Sequence, residues 1–312
     1  MTNDNYHTES ENDFLVSEPA GTWGGDWTEE KLDAFEKYVK AYLKIMGKYA
    51  PQFGWKLLYF DGFAGSGSRE VPEKDETDNT LFEEFASEEE CQVYKGAAER
   101  VLSIEGFSFD HYVFVDKNKE SISQLESKLR EKFPDKKMDF RSDDANVQVK
   151  KMAEGLSDND KFASLVLLDP FGMQLDWETI SSLKSIKHLD LWILVPSGVI
   201  INRLLDRKGE LQHIEKLCKT LGVTPEEIKQ EFYETKVEQT LFGEVEVTSK
   251  RKKSINKIAD LYMRKLKTIF EHVAEPLPLL NTRNCPIFHF VFASNNRNAA
   301  KIASQIIGKK SK

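Results

Sequence analysis

Four short apolar runs in the first 170 residues each end on an acid, and that recurrence limits the available folds more than any other feature. Residues 56–60 (KLLYF) run into Asp61, residues 112–115 (YVFV) into Asp116, residues 138–141 into Ser142 and then Asp143 and Asp144, and residues 163–168 (ASLVLL) into Asp169. A fifth run, residues 190–195, ends at Pro196. Between the runs, apolar residues recur at helical spacing, as in Ile122, Leu125 and Leu129. Short strands alternating with helices predict an α/β fold with a Rossmann-like, doubly wound, mostly parallel sheet. Ligands of such sheets sit at the carboxyl ends of the strands. One acid there would be ordinary; four in succession mark a site.

The flanks complete the organisation. Leu32, Phe35, Val39, Leu43 and Met46 predict a helix capped by Thr28, with Gly47 and Pro51 marking its end. Residues 272–280 and 286–294, joined by residues 281–284, read as an antiparallel C-terminal hairpin at the sheet edge, followed by a last helix from about Asn298. Residues 199–270 are too long for one crossover and read as a helical insertion, with Thr224 as N-cap and Pro225 at the first helical position. The expected division is a disordered acidic tail (1–20), an α/β domain (21–198 and 271–308) carrying an acidic insertion (69–92), and the helical insertion (199–270) as a target-recognition element.

The 312 residues are 40% hydrophobic and 31% charged, enough apolar content for a sizeable core. The longest apolar runs, such as residues 189–195, fall far short of the roughly 20 residues that span a bilayer. The polar, acidic, Arg-free start does not read as a targeting peptide. Cys91, Cys218 and Cys285 lie too far apart for a disulfide framework or a C-x-x-C knuckle, so a reducing, cytoplasmic setting is expected. His188, His213, His272 and His289 share no metal-ligand spacing, and no metal site is expected.

The net charge of −8 argues at first against a nucleic-acid partner. Its distribution reverses that. Residues 1–30 hold eight acids and no Lys or Arg, and residues 70–90 hold ten acids against Lys74, which leaves +9 on the rest. Residues 250–267 hold eight cations against Asp260, opening with Lys250, Arg251, Lys252 and Lys253. These four are the candidate contacts to RNA or DNA phosphates, beside the plain alternative of a solvated helix face.

The chemistry centres on the turn D-x-F-x-G-x-G after the first strand, formed by Asp61, Phe63, Gly65 and Gly67. Small residues after a strand let backbone amides approach a ligand closely. Phe63 stands where a nicotinamide-binding turn has its first glycine, which disfavours a dehydrogenase. Asp116 is placed to accept hydrogen bonds from ribose hydroxyls, and Asp144 to meet an adenine amino group.

The order FDGFAGSG (60–67), VFVDKN (113–118), DDAN (143–146) and LLDPFG (167–172) resembles class I S-adenosylmethionine-dependent methyltransferases. With Trp27, Lys31, Leu32 and Tyr38 in the opening helix, Trp177 after LLDPFG and the FVFAS segment (290–294), the chain resembles more closely the three-Cys-motif partner protein family over about residues 23–305. The resemblance implies S-adenosyl-L-methionine as cofactor. Asp61, Phe63, Gly65 and Gly67 would wrap its methionine moiety, Asp116 would hold the ribose and Asp144 the adenine. It also implies amino-group methylation of a flipped or unpaired nucleic-acid base. Asp169, Pro170 and Phe171 match by position the D-P-P-Y segment of amino-methyltransferases, whose acid and carbonyl accept from an exocyclic amino group while the aromatic ring stacks the base. The second Pro is absent and the aromatic residue stands one place earlier, before Gly172. The alternative the family implies is a non-catalytic, methyltransferase-like adaptor of a three-Cys-motif, radical-SAM-like partner protein.

Overall fold

The computed structural model describes residues 26–66, 96–170, 172–240 and 243–309. The acidic tail and the whole of the 69–92 insertion lie outside these residues, as do Gly67 and Phe171.

The chain opens with a 28-residue helix, α1 (Asp26–Phe53), which begins two residues before the expected cap, so Thr28 lies inside its first turn. Strand β1 (Lys56–Asp61) follows, then helix α2 (Ala97–Leu102), β2 (His111–Asp116), α3 (Lys119–Lys132), β3 (Met138–Ser142), α4 (Ala145–Ser157), β4 (Phe162–Leu168), a short helix α5 (Trp177–Ser181) and β5 (Leu189–Val195). The sheet order is β3-β2-β1-β4-β5, all parallel. The chain then leaves the sheet through one π-helical turn (Ser197–Ile201), α6 (Ile214–Leu221) and α7 (Pro225–Phe232). As the sequence predicts, Thr224 Oγ1 accepts from Glu227 N–H at 3.2 Å, while Glu227 Oε2 accepts from Thr224 N–H at 2.7 Å.

The stretch 199–270 is not purely helical. It carries an antiparallel hairpin, β6 (Tyr233–Thr240) and β7 (Gly243–Lys250), which pairs with no strand of the main sheet. The alternation Val245, Val247 against Glu244, Glu246 is the period-2 signal that marked it, and Gly243 at φ 117° is the turn residue. Helix α8 (Ser254–Leu266) returns against the sheet, burying Ile258, Leu261, Tyr262 and Leu266. Lys257, Arg264 and Lys265 of the basic run thus lie on a helix whose other face is core, while Lys250 ends β7 and residues 251–253 precede the helix. The C-terminal strands are β8 (His272–Val273), β9 (Leu277–Leu280) and β10 (Pro286–Ser294), and α9 (Arg297–Gly308) closes the chain. β10 lies antiparallel to β5 and carries β8 and β9 on its outer edge. The expected doubly wound, mostly parallel sheet with an antiparallel C-terminal hairpin is therefore what the chain forms, with the 272–280 run divided into two short strands.

Strand periodicity assigns the two faces. Leu57 and Tyr59 of β1, Leu165 and Leu167 of β4, and Trp192 of β5 face one layer with α1, α2, α3 and α9. Leu58 and Phe60, Val166 and Leu168, and Leu191 and Ile193 face the other, with α4 to α8. Successive side chains point to opposite faces, so these uninterrupted apolar runs are required by a sheet covered on both sides. Phe35 and Tyr38 of α1 pack on Trp192, which stacks on Phe290 at 4.5 Å between ring centroids. No helix among the described residues is long and apolar enough to cross a membrane.

Candidate active site at the carboxyl edge of the sheet

The first turn is pinned to both neighbouring strands. Gly62 N–H donates to Leu167 O of β4 at 3.0 Å, and Ala64 N–H donates to Val115 O of β2 at 2.8 Å. A Cβ at Gly62 would stand 2.7 Å from Leu168 Cδ2, so the close approach needs glycine. Gly65, at φ 63°, turns its N–H onto Asp116 Oδ2 at 2.9 Å. Asp116 Oδ1 accepts from Asn118 N–H at 2.8 Å, and Asn118 caps α3. Burial pushes the Asp116 carboxyl up, and the Asn118 and Gly65 amides pull it back.

Asp61 is buried, accepting from Tyr59 O–H at 3.1 Å and Phe63 N–H at 3.2 Å. Burial raises its pKa to about 7; the neighbouring Asp169 adds to the rise, while the Phe63 amide, Tyr59 and Lys31 oppose it. Asp144 is the N-cap of α4, its Oδ1 accepting from Asn146 N–H at 2.8 Å and Val147 N–H at 3.4 Å. This cap holds the helix start beside the end of β2, where Asp143 N–H reaches Asp116 O at 3.2 Å.

Asp169 is buried two residues beyond the Asp61↔Leu167 register and accepts from Lys31 Nζ at 2.5 Å. Pro170 is buried beside it, and Gly172 at φ 73° makes the turn that follows. Lys31 is 1% exposed, so this is an ion pair inside the protein. Breaking such a pair costs about 3–5 kcal/mol because it strands a buried charge. The geometry thus gathers Asp61, Phe63, Gly65, Asp116, Asp144 and Asp169 along one edge of the sheet.

Two residues of this edge escaped the sequence reading of the site. Lys31 shares one helical stripe with Phe35, Tyr38 and Tyr42, and a lone cation among buried aromatics was the available signal. Asn146 bridges α4 to the loop after β4: Nδ2 donates to Gln174 O at 2.9 Å, and Oδ1 accepts from Asp176 N–H at 2.9 Å and Thr179 Oγ1 at 2.8 Å. No local pattern announced that role.

The four candidate phosphate contacts divide. Lys250 Nζ donates to Asn202 O at 2.6 Å and Arg251 Nε to Tyr233 O at 2.7 Å, so both heads brace the base of the hairpin. Lys252 and Lys253 are exposed, and Lys253 adopts φ 57° just before α8. Further along, Arg264 pairs with Glu231 at 2.8 Å and Lys265 lies over the Trp177 ring at 5.3 Å. Near the same edge Ser197 and His289 Nδ1 are 2.7 Å apart and buried, and burial lowers the His289 pKa to about 4. Neutral at ordinary pH, that imidazole shares a hydrogen bond with the Ser197 hydroxyl and joins β10 to the end of β5.

No protein-family model matches the chain, and no curated protein does. Among solved structures it is similar to Trm1 from Pyrococcus horikoshii in complex with S-adenosyl-L-methionine, at 11% identity and a TM-score of 0.39, over 89% of this chain and 58% of that one. It is similar to the DszA carbon methyltransferase at 15% identity and a TM-score of 0.39, over 84% and 54%. A third is an S-adenosylmethionine-dependent methyltransferase from Clostridium acetobutylicum ATCC 824, at 11% identity and a TM-score of 0.33, over 87% and 93%. The chain thus spans a little over half the length of the first two.

Proposed function

We propose that the chain is an S-adenosyl-L-methionine-dependent methyltransferase acting on an amino group of a nucleic-acid base. The observation that carries the reading is the convergence at one sheet edge of the Asp61–Gly65 turn, Asp116, Asp144 and the buried Asp169–Lys31 pair.

The residues present fit the cofactor. The glycine turn leaves backbone within reach of a methionine moiety, and the Asp61 carboxylate suits its ammonium group. A carboxylate has about four lone-pair positions, so Asp116 can accept from ribose hydroxyls while keeping Gly65 and Asn118. Asp144 lies one strand further, on the adenine side. The cofactor, when bound, supplies an electrophilic methyl group on a sulfonium sulfur.

Asp169 accepts from the acceptor amino group, orients its lone pair toward that methyl, and takes up the proton released when the C–N bond forms and the C–S bond breaks. Lys31 is a positioning residue: it fixes the carboxylate and balances its charge. Pro170 follows Asp169 directly, and the resemblance assigns Phe171 the role of stacking ring. Most of the acceleration asked of such a site is orientation.

Calorimetric titration with S-adenosyl-L-methionine and S-adenosylhomocysteine tests the pocket, with micromolar binding expected and its loss in Asp116→Ala. Labelled-methyl transfer to RNA and DNA tests the chemistry. Asp169→Asn should abolish transfer with cofactor affinity nearly unchanged; full turnover in that variant would remove Asp169 from the reaction.

A second reading, an adaptor of a three-Cys-motif, radical-SAM-like protein, is favoured by one observation. Val237, Val245 and Val247 are exposed on the free-standing β6–β7 hairpin, and two-stranded hairpins are marginal alone. A stoichiometric partner on purification from the native host, with no transfer by either component alone, would select it.

A further inference from the structure

Some surface cations of this protein are matched by acids. Arg100 meets Glu29, Asp33 and Glu36, Lys128 and Lys132 meet Glu99, and Arg264 meets Glu231. A depression at the outer edge of the sheet is lined by cations that are not. It encloses about 610 Å³ between β8, the end of α8 and the first two turns of α9, and is lined by Lys267, Arg297 and Lys301. None of the three has an ion pair among the described residues. Arg297 and Lys301 are four apart on one helix face, where like charges destabilise a helix by a few tenths of a kcal/mol. His272 and Ser304 add polar groups to the lining, and Glu271 is its one acid, 4.0 Å from His272.

Three cations lining one depression, with a hydroxyl and an imidazole group beside them, suit a phosphate group. Its position says which kind. Ser294, just before α9, pairs with Asp190 near the start of β5, so the depression lies at the amino ends of the parallel strands. Asp169 lies at their carboxyl ends, a strand length along the sheet (about 20 Å for seven residues) and three strands across it (about 14 Å), so about 25 Å away. At about 3.4 Å per step of a stacked strand, reaching from one to the other takes roughly seven nucleotides.

We infer that the Lys267–Arg297–Lys301 depression binds backbone phosphate of a nucleic-acid strand whose target base lies at the carboxyl edge of the sheet. The inference rests on the proposed acceptor class and extends it: the substrate is a polynucleotide, not a free nucleotide.

The test uses the full chain and its Lys267→Glu/Arg297→Glu/Lys301→Glu variant, with Arg297→Gln/Lys301→Gln as a milder second variant and thermal melts to verify folding. Fluorescence anisotropy is read on labelled 4-mer and 12-mer RNA and DNA across a salt series. The expected result is 12-mer binding weakened at least tenfold in the triple variant, with the log–log salt slope reduced by about 2–3, one phosphate contact per cation. The 4-mer and calorimetric S-adenosyl-L-methionine affinities should not change. Equal 12-mer affinity and slope in wild type and both variants overturns the inference, as does wild-type chain that takes up the cofactor yet binds neither strand. A slope reduction in a chain that fails to bind cofactor sustains the phosphate site and overturns the reading of the rim instead.

Discussion

Lys31 donates to Asp169 across 2.5 Å, joining the leading helix to the end of β4 over 138 residues of sequence, and both side chains are buried. Each group needs the other. Desolvating either charge costs several kcal/mol, and the mutual attraction and hydrogen bond offset it.

Lys31→Met should therefore destabilise the fold by about 3–5 kcal/mol. Lys31→Met/Asp169→Leu should recover much of that loss, because neither charge remains to be stranded. Urea denaturation of the two single variants and the double variant measures the coupling; additive effects would show that the pair is not coupled in solution.

Asp61 predicts an unusual pH dependence. Burial raises its pKa from 3.8 to about 7, so between about pH 4 and 7 the folded chain keeps a proton the unfolded chain has released. Its contribution to stability is present below pH 4 and falls as pH rises through that window, by up to about 1.4 kcal/mol per pH unit. Asp61→Asn should lack that component, and the difference between the two stability–pH curves isolates it. The cofactor's ammonium group favours the ionised carboxylate, so wild-type affinity for S-adenosyl-L-methionine should rise through pH 7 while the Asn variant shows no such rise.

Asn146 makes three hydrogen bonds that tie α4 to the loop following β4. Asn146→Ala should cost roughly 1–3 kcal/mol through the groups left unpaired. Its effect on transfer should fall mainly on kcat, since Asp169 borders that loop. A variant with wild-type melting temperature and kcat would show that Asn146 does not brace the loop.

Gly198 closes the end of β5 against the C-terminal hairpin. A Cβ there would stand 2.2 Å from the Pro286 carbonyl oxygen, a backbone atom that cannot rotate away. Gly198→Ala should lower stability by roughly 1–3 kcal/mol and disturb the neighbouring Ser197–His289 contact. Thermal unfolding checks the first, and the His289 imidazole resonance in NMR the second.

The alternating apolar runs and the acids that end them were sufficient to read the doubly wound sheet, its C-terminal hairpin and the positions of Asp61, Asp116, Asp144 and Asp169 at one edge. Those features are local: strand period, glycine turns and helix caps are written in neighbouring residues. The Thr224 capping box was legible for the same reason. The β6–β7 hairpin was a local signal read past, because helical segments flank it on both sides.

What neighbouring residues cannot carry is which charge meets which across the fold. Lys31 is one of several lysines on the opening helix until α1 packs over the sheet and brings its ammonium group onto Asp169. Lys250 and Arg251 read as free phosphate contacts until the hairpin folds and spends their heads on carbonyl groups. Lys267, Arg297 and Lys301 are scattered over 35 positions and become one depression only when α9 settles beside the end of α8. Apolar periodicity, glycine turns and helix caps act over a few residues, so the sequence alone determined the architecture and the acidic edge. Side-chain electrostatics act through space, and only the tertiary structure decided which of those charges are paired.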